Sequence, residues 1–229
     1  MINDMNKDKR NYKVEFLGEN ISKEYTTFKV IILGLLNVGK TTIIGKLMNK
    51  PDKVYEPTLS LDIQNIQIKV NDKIIQIQLW DTCGNDQFAG SIPNLFKNVS
   101  LAILVFAINN HESFENLNSW YNLVKDLSFD SILFLIGNKS DLEEEREVTK
   151  EEIENFKNSY DNIKMFFETS AKNGENIDKL FENIAISLYK KLISDEKNIE
   201  DILTERIALK KEDFSNIKSN KNKKTKIWC

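Results

Sequence analysis

The sequence predicts an α/β domain built on a six-stranded, mostly parallel sheet with one antiparallel hairpin and about five helices on both faces. Continuous apolar runs, such as 101–108 and 132–136, are typical of strands that are buried on both faces. Amphipathic segments such as 113–127 alternate with these runs, as in an α/β fold. A chain of 229 residues with 41% hydrophobic residues is long enough to bury one core of this kind and to carry extensions.

The elements follow one another in the order that such a sheet requires. Strands are expected over 28–33, 63–70, 74–79, 101–108, 132–136 and 165–167, and helices over 40–48, 87–97, 113–127, 149–159 and 177–188. The turn signal Asn71-Asp72 joins the second and third strands in an antiparallel hairpin. Thr149 with Glu152 predicts a capping box at the fourth helix.

These elements lie in one predicted domain, residues 27–194. Residues 1–26 are interpreted as an N-terminal extension and residues 195–229 as a polybasic tail of the hypervariable kind that ends in a cysteine. Apolar residues at 199, 202, 203, 207 and 209 could prolong the last helix into this tail or start another.

A phosphate-binding loop is predicted between the first strand and the first helix. Residues 34–41 fit the pattern G-x-x-x-x-G-K-[ST], in which main-chain N–H groups wrap the phosphates and the helix N-terminus adds partial positive charge. Lys40 supplies a cation for the outer phosphates, and the Thr41 hydroxyl is a ligand for Mg²⁺. A glycine-rich turn with a surface lysine is the competing interpretation, and later motifs argue against it. The candidate nucleotide ligands here are Gly34, Asn37, Val38, Gly39, Lys40, Thr41 and Thr42.

A second motif follows the strand at 74–79. Asp81 is placed to hold Mg²⁺ through water, and Gly84 lets a main-chain N–H approach the terminal phosphate. Both residues come directly after an apolar run, at the carboxyl end of a strand, where open parallel sheets bind ligands.

Two further motifs follow the last two strands. Asn138, Lys139 and Asp141 come after one strand, and the run Ser170-Ala171-Lys172 comes after the other. The Asp141 carboxylate can accept hydrogen bonds from the N1–H and the exocyclic amine of guanine, a pair of donors that adenine does not present. The sequence therefore predicts a site for GTP and GDP rather than for ATP.

These motifs together resemble those of a small GTPase of the Ras superfamily, and their details are most similar to the Rab family of vesicle-traffic regulators. The resemblance spans about 28–190 and implies the P-loop small GTPase fold. Its Rab character comes from 76–82, from 104–109 followed by Ser113-Phe114, and from a terminal cysteine. The stretch 91–93 is similar to Golgi-associated Rabs, so we expect a cytoplasmic protein on the cytosolic face of an endomembrane, such as Golgi or vesicles.

The resemblance also implies roles for individual residues. Thr58 matches the threonine that closes over Mg²⁺ and the γ-phosphate, so the metal ligands would be Thr41, Thr58 and, through water, Asp81. The residues expected to act in GTP hydrolysis are Lys40, Thr58, Gly84 and Asn85. Exposed Ile63, Trp80 and Phe96 are expected to form an apolar effector face, although Trp80 could instead belong to the core.

Two departures from the family pattern predict slow hydrolysis. Asn85 stands where most members have the glutamine that orients the attacking water, and its side chain is one methylene shorter. Leu36 lies beside the space that an arginine finger must enter. In addition, the segment 51–53 lacks the aromatic residue that normally packs against guanine, so nucleotide affinity is expected to be lower than is usual in the family. Three classes stay open: a slow regulatory GTPase, a GTP-locked module that recruits effectors without useful turnover, and a P-loop kinase or ATPase.

Charge is distributed unevenly along the chain, whose formal net charge is −3. The segment 215–229 holds five of the 32 Lys and Arg residues and none of the 35 acidic residues. A basic tail on an acidic body argues against nucleic acid as a partner and favours an anionic lipid surface, although a merely solubilising disordered tail is the alternative.

The two cysteines, Cys83 and Cys229, do not suggest a disulfide scaffold, and the chain shows neither a signal peptide nor a membrane-spanning run. Cys229 lacks the residues of a C-a-a-X box, but the Rab resemblance implies geranylgeranylation. The same resemblance implies an exchange factor, a GTPase-activating protein, a GDP-dissociation inhibitor or escort protein, and effectors as partners of a monomer. His111, the only histidine, is expected to be solvated in a loop.

Overall fold

The computed structural model of the protein describes five stretches of the chain. They are 12–19, 21–48, 61–82, 92–160 and 162–224, with side chains described for all of these except 92–93 and 203–224. The chain divides into two compact units, and the boundary between them along the sequence follows Leu188.

The first unit contains a seven-stranded sheet. Its strands are β1 (Val14–Gly18), β2 (Thr26–Leu33), β3 (Asp62–Val70), β4 (Lys73–Asp81), β5 (Val99–Ala107), β6 (Ile132–Asn138) and β7 (Ile163–Thr169). They lie in the order β1-β3-β4-β2-β5-β6-β7. Strands β4, β2, β5, β6 and β7 are parallel neighbours, whereas β3 pairs antiparallel with β4 and β1 pairs antiparallel with β3. The α/β class and the hairpin are therefore confirmed.

The helices of the described residues match the predicted order with two differences. They are α1 (Lys40–Leu47), α2 (Ile92–Phe96), α3 (His111–Glu115), α4 (Leu117–Leu127), a 3-10 helix (Ser140–Glu145), α5 (Lys150–Ser159) and α6 (Ile177–Lys224). The helix predicted over 113–127 is divided at Asn116, and the 3-10 helix has no counterpart in the prediction. At the start of α5 the predicted capping box is confirmed, because Thr149 and Glu152 bond each other's main-chain N–H groups.

Strand β1 makes the number of strands seven instead of the predicted six. The segment Val14–Gly18 lies in what the sequence predicted to be an extension, but it covers part of the outer edge of β3. The main-chain N–H of Lys13 donates to Asn71 Oδ1, and the main-chain N–H of Asn71 donates to the Lys13 carbonyl oxygen. The side-chain amide of Gln67 accepts from the N–H of Ser22 (2.7 Å) and donates to its carbonyl oxygen (3.1 Å). A five-residue strand of this kind is stabilised by a distant partner, so local sequence signals are weak.

One hydrophobic cluster lies between the sheet and helices α2 to α5. Phe96 is one of its fully buried side chains, with 1% of its surface exposed. The prediction that Phe96 belongs to an exposed effector face is therefore wrong. The sequence predicted a short helix over 87–97, of which the structure describes 92–97, and α2 contains Pro93 near its start, a position that proline tolerates.

The second unit comprises residues 189–229, of which the structure describes the backbone as far as Lys224, all within α6. Ile193, Ile199 and Ile202 are exposed there. The predicted tail thus begins inside a helix, which is one of the two alternatives left open by the sequence. Among the described residues no helix combines the length and the apolarity that crossing a membrane requires.

Candidate functional site

The carboxyl ends of the parallel strands bring the sequence motifs together at one edge of the sheet. Strands β2, β4, β6 and β7 end at Leu33, Asp81, Asn138 and Thr169. Because these strands run in the same direction, the loops that follow them meet at this edge. The predicted nucleotide and metal residues that the structure describes all lie here.

The loop after β2 has the backbone shape of a phosphate cradle. Gly34, Asn37 and Gly39 have φ values of 146°, 62° and 96°, which L side chains rarely adopt. At Gly34 a Cβ atom would lie 2.1 Å from the carbonyl oxygen of Val105, so only glycine fits. Asparagine is the residue type other than glycine that most readily adopts a positive φ, which explains Asn37. Turns of this kind present successive main-chain N–H groups to an anion.

Lys40 and the beginning of α1 supply positive potential beside this loop. Lys40 is buried, with 5% exposed, and its Nζ donates to the carbonyl oxygens of Gly34 (2.9 Å) and Leu35 (2.8 Å). Gly39 offers no side-chain cap, and the first turn of α1 carries no acidic residue. The partial charge of the helix N-terminus is therefore left for a phosphate group. Thr42 lies in the same first turn and is half-buried.

Thr41 and Asp81 place two oxygen atoms side by side. The Thr41 hydroxyl donates to Asp81 Oδ2 at 2.5 Å, and Asp81 is buried, with 2% exposed. Thr82 fixes the end of β4 by donating to the carbonyl oxygen of Ile32 at 2.7 Å. A hydroxyl and a carboxylate are ligands that suit Mg²⁺ directly or through water, so the donor set fits the predicted metal.

Asn138 links three loops of the site. Its Nδ2 donates to the carbonyl oxygen of Val38 at 2.8 Å, and its Oδ1 accepts from the main-chain N–H of Ala171 (3.1 Å) and from the Thr169 hydroxyl (3.2 Å). Asn138 is 2% exposed. One side chain thus holds the phosphate loop and the loop after β7 against the end of β6. The role predicted for Asn138 was only that of a nucleotide ligand.

Asp141 and its neighbours form the predicted base-recognition site. The Ser170 hydroxyl donates to Asp141 Oδ1 at 2.5 Å, and the Lys172 ammonium lies 3.7 Å from Asp141 Oδ2. Lys139 has a φ of 67°, which turns the chain between β6 and the 3-10 helix. These contacts hold a carboxylate at the rim of the phosphate loop, where it can read the donors of guanine.

The sequence interpretation missed a second link between the same loops. The Ser140 hydroxyl donates to Glu175 Oε2 at 2.7 Å across 35 residues of chain. Ser140 lies within the base motif 138–141 but was given no role of its own, and Glu175 lies outside the motifs, so only the fold shows that they meet. Thr169 begins the motif 169–172 and was likewise not assigned a role.

Several predicted residues lie outside the described residues. They are Thr58, Cys83, Gly84, Asn85 and Cys229. Their predicted roles in metal binding, hydrolysis and lipidation therefore stay predictions.

The predicted effector face is represented by Ile63 and Trp80, which pair across β3 and β4. Ile63 is 41% exposed, whereas Trp80 is partly buried and packs against the hydrophobic cluster that contains Phe96. Lys29 Nζ lies 3.6 Å from the centroid of the Trp80 ring and donates to the carbonyl oxygen of Lys97 at 3.3 Å. Burial lowers the pKa of Lys29. Trp80 thus contributes to the core and keeps only part of its ring available to a partner.

The single histidine is paired and not simply solvated, which corrects the prediction. His111 begins α3, and its Nε2 lies 2.8 Å from Glu152 Oε1 and its Nδ1 3.5 Å from Glu115 Oε1. Its main-chain N–H donates to Glu147. The bond to Glu152 raises the pKa of His111, and bonds from Thr149 and His111 lower the pKa of Glu152 to about 2. This cluster joins α3 to α5 outside the nucleotide site.

A comparison with protein families agrees with this geometry. Residues 29–190 match the sequence model of the Ras family. The match covers well over half of the chain and contains every site residue described above. Members of this family are switches that bind GTP and GDP with Mg²⁺ and hydrolyse GTP. The cradle after β2, the oxygen pair of Thr41 and Asp81 and the linked loops around Asn138 are the parts that this activity needs. The chain is therefore a GTP-binding small GTPase that belongs to the Ras family.

Proposed function

We propose that this small GTPase is a Rab-like regulator of vesicle and membrane traffic that hydrolyses GTP slowly and spends most of its time in the GTP-bound state. The observation that carries the slow hydrolysis is Leu36. This residue is 41% exposed in the phosphate loop, and we propose that its bulky apolar side chain obstructs the approach to the phosphates.

The described residues support the chemistry of the family in specific ways. Hydrolysis transfers the γ-phosphoryl group of GTP to water and leaves GDP, and negative charge shifts toward the leaving oxygen in the transition state. Lys40 and the N–H groups of the phosphate loop are positioned to stabilise that charge. Thr41 and, through water, Asp81 would hold Mg²⁺, which would supply positive charge to balance that of the phosphates.

Leu36 and Asn85 act on different steps of this reaction. Asn85 is proposed to orient the attacking water poorly, because its amide ends one methylene short of the position that a glutamine reaches. Leu36 is proposed to exclude the arginine finger of a GTPase-activating protein by steric overlap. A partner that supplies its own glutamine would compensate for Asn85 but not for Leu36.

Single-turnover hydrolysis tests this proposal. The wild type, Leu36→Gly, Asn85→Gln and the double variant are loaded with GTP, and phosphate release is followed with and without a Rab-type activating protein. We expect Asn85→Gln to raise intrinsic hydrolysis by about tenfold or more and Leu36→Gly to raise stimulated hydrolysis by about a hundredfold. Wild-type turnover equal to that of the double variant under both conditions would refute the proposal.

The limiting form of the same idea is a GTP-locked module that recruits effectors without useful turnover. The exposed Leu36 favours it, as does the partly exposed pair formed by Ile63 and Trp80. The nucleotide that co-purifies with the protein separates the two forms. A mixture of GDP and GTP indicates a slow switch, and GTP alone indicates the locked module.

Membrane attachment is proposed through Cys229 and the lysines that precede it. One lipid chain binds a bilayer only marginally, and basic residues beside it supply the second signal. Mass spectrometry of the native protein and localisation of a tagged Cys229→Ser variant test this. The proposed site is the cytosolic face of the Golgi or of vesicles, and an unmodified Cys229 in cells would contradict prenylation.

A further inference from the structure

We infer that Glu175 is a positioning residue for guanine recognition, which acts by holding the loop that carries Asp141 through the hydroxyl of Ser140. The inference rests on the guanine-nucleotide binding of the family and not on the proposed traffic role. It begins with a single contact, the 2.7 Å bond that Ser140 Oγ donates to Glu175 Oε2. Ser140 is the residue directly before Asp141 and is the first residue of the 3-10 helix.

Glu175 is itself held firmly by the loop after β7. The main-chain N–H of Ser170 donates to the Glu175 carbonyl oxygen (3.1 Å), and the N–H of Gly174 donates to the Ser170 carbonyl oxygen (2.8 Å). The N–H of Glu175 donates to Asn173 Oδ1 at 2.9 Å. These bonds fix the main chain of Glu175 before a nucleotide arrives, and its side chain extends from there at the surface.

The bond between Ser140 and Glu175 differs from the bond between Ser170 and Asp141 because it does not use the carboxylate that binds the base. Ser170 Oγ donates to Asp141 Oδ1 at 2.5 Å, and this oxygen belongs to the carboxylate that must also accept from the base. When guanine binds, the Ser170 hydroxyl and the base share that acceptor. The bond from Ser140 uses neither oxygen of Asp141, so it keeps its full strength in the complex and continues to fix the loop.

Loss of this bond has a specific consequence. Hydrogen bonds weaken steeply as the donor angle departs from linearity. A shift of the loop therefore weakens binding of guanine, whose N1–H and exocyclic amine must both point at the Asp141 carboxylate, more than binding of a base that offers only one donor. The exocyclic amine distinguishes guanine from hypoxanthine, the base of inosine nucleotides. We therefore expect removal of the link to weaken binding of GDP more than binding of IDP.

Nucleotide dissociation measures this effect. The full-length wild type and the variants Ser140→Ala, Glu175→Ala and both together are loaded with fluorescent GDP in Mg²⁺, and release into excess GDP is followed. Each single variant is expected to release GDP about fivefold faster, equivalent to about 1 kcal/mol, the typical net contribution of one hydrogen bond. The double variant is expected to be no faster than either single one, because both changes remove the same bond.

Three matched measurements exclude a merely structural effect. Ser140→Thr keeps the hydroxyl and is expected to restore the wild-type rate. Glu144→Ala removes an exposed glutamate of the same 3-10 helix and is expected to have no effect. Displacement of fluorescent GDP by IDP gives the ratio of the GDP affinity to the IDP affinity, which is expected to fall by about two- to fivefold in the variants, because IDP loses part of its binding as well.

Additive effects of the two substitutions, equal losses for GDP and IDP, or rates within about twofold of the wild type would each overturn the inference. A wild type that does not bind guanine nucleotides at all would instead contradict the family activity itself.

Discussion

Replacing Asn138 by alanine tests whether one side chain joins the phosphate loop to the base-recognition loops. The substitution removes the bonds to Val38, Ala171 and Thr169 and leaves a buried carbonyl oxygen and a buried N–H group without their partner. A buried polar group that loses its partner costs about 1–3 kcal/mol, so the loss of the two main-chain partners amounts to about 3 kcal/mol. Total stabilities of about 5–15 kcal/mol make this a large fraction.

Urea unfolding at a fixed concentration of GDP and Mg²⁺ measures this loss, and a separate titration gives the GDP affinity, because bound nucleotide adds to the apparent stability. Asn183→Ala is the matched control. Asn183 is equally buried, at 2% exposed, but its amide donates to the Lys179 carbonyl oxygen within its own helix. We expect the control to cost about 1 kcal/mol or less, since alanine also favours the helix.

Two outcomes would refute the reasoning. One is an Asn138→Ala variant with the stability and GDP affinity of the wild type. The other is an equal effect of the two substitutions, which would mean that burial of an asparagine matters and its position between the loops does not.

Three other predictions follow from the described contacts. Gly34→Ala should cost more than about 3 kcal/mol in urea unfolding, because the new Cβ would meet a carbonyl oxygen. Gly18→Ala, where φ is also positive but the space is open, should cost about 1–2 kcal/mol. Phe96→Ala should cost about 3–5 kcal/mol by the same measurement, and a smaller loss than 1 kcal/mol would contradict its place in the core. His111→Gln should lower the melting temperature most between about pH 4.5 and 6.5. The raised pKa of His111 contributes stability that is lost as the pH rises through that pKa. The lowered pKa of Glu152 contributes stability that is lost as the pH falls toward about 2. A difference independent of pH would exclude this ion pair.

The motifs of the site were predictable because each one is local. A phosphate loop needs glycine, lysine and threonine at fixed spacing, and the structure places Gly34, Lys40 and Thr41 as that spacing requires. The strands that carry these motifs are long apolar runs buried on both faces, which is the strongest signal that an α/β sequence offers.

The errors of the sequence interpretation share one physical origin. Phe96 was expected at the surface because it lies near a functional loop, but the direction of a side chain on a short helix depends on how that helix packs. Strand β1 was read as part of an extension, since its pairing partner, β3, lies far along the chain. His111 was expected to be solvated because its partner Glu152 belongs to another helix.

Short local motifs are thus enough to identify a guanine-nucleotide switch from the sequence, since phosphate, magnesium and base recognition each depend on a few neighbouring residues. Contacts between distant segments cannot be identified in this way. The bond from Ser140 to Glu175 and the three bonds of Asn138 exist because parallel strands bring separate loops to one edge of the sheet. Such pairings depend on the packing of the whole domain, and no short stretch of sequence encodes them.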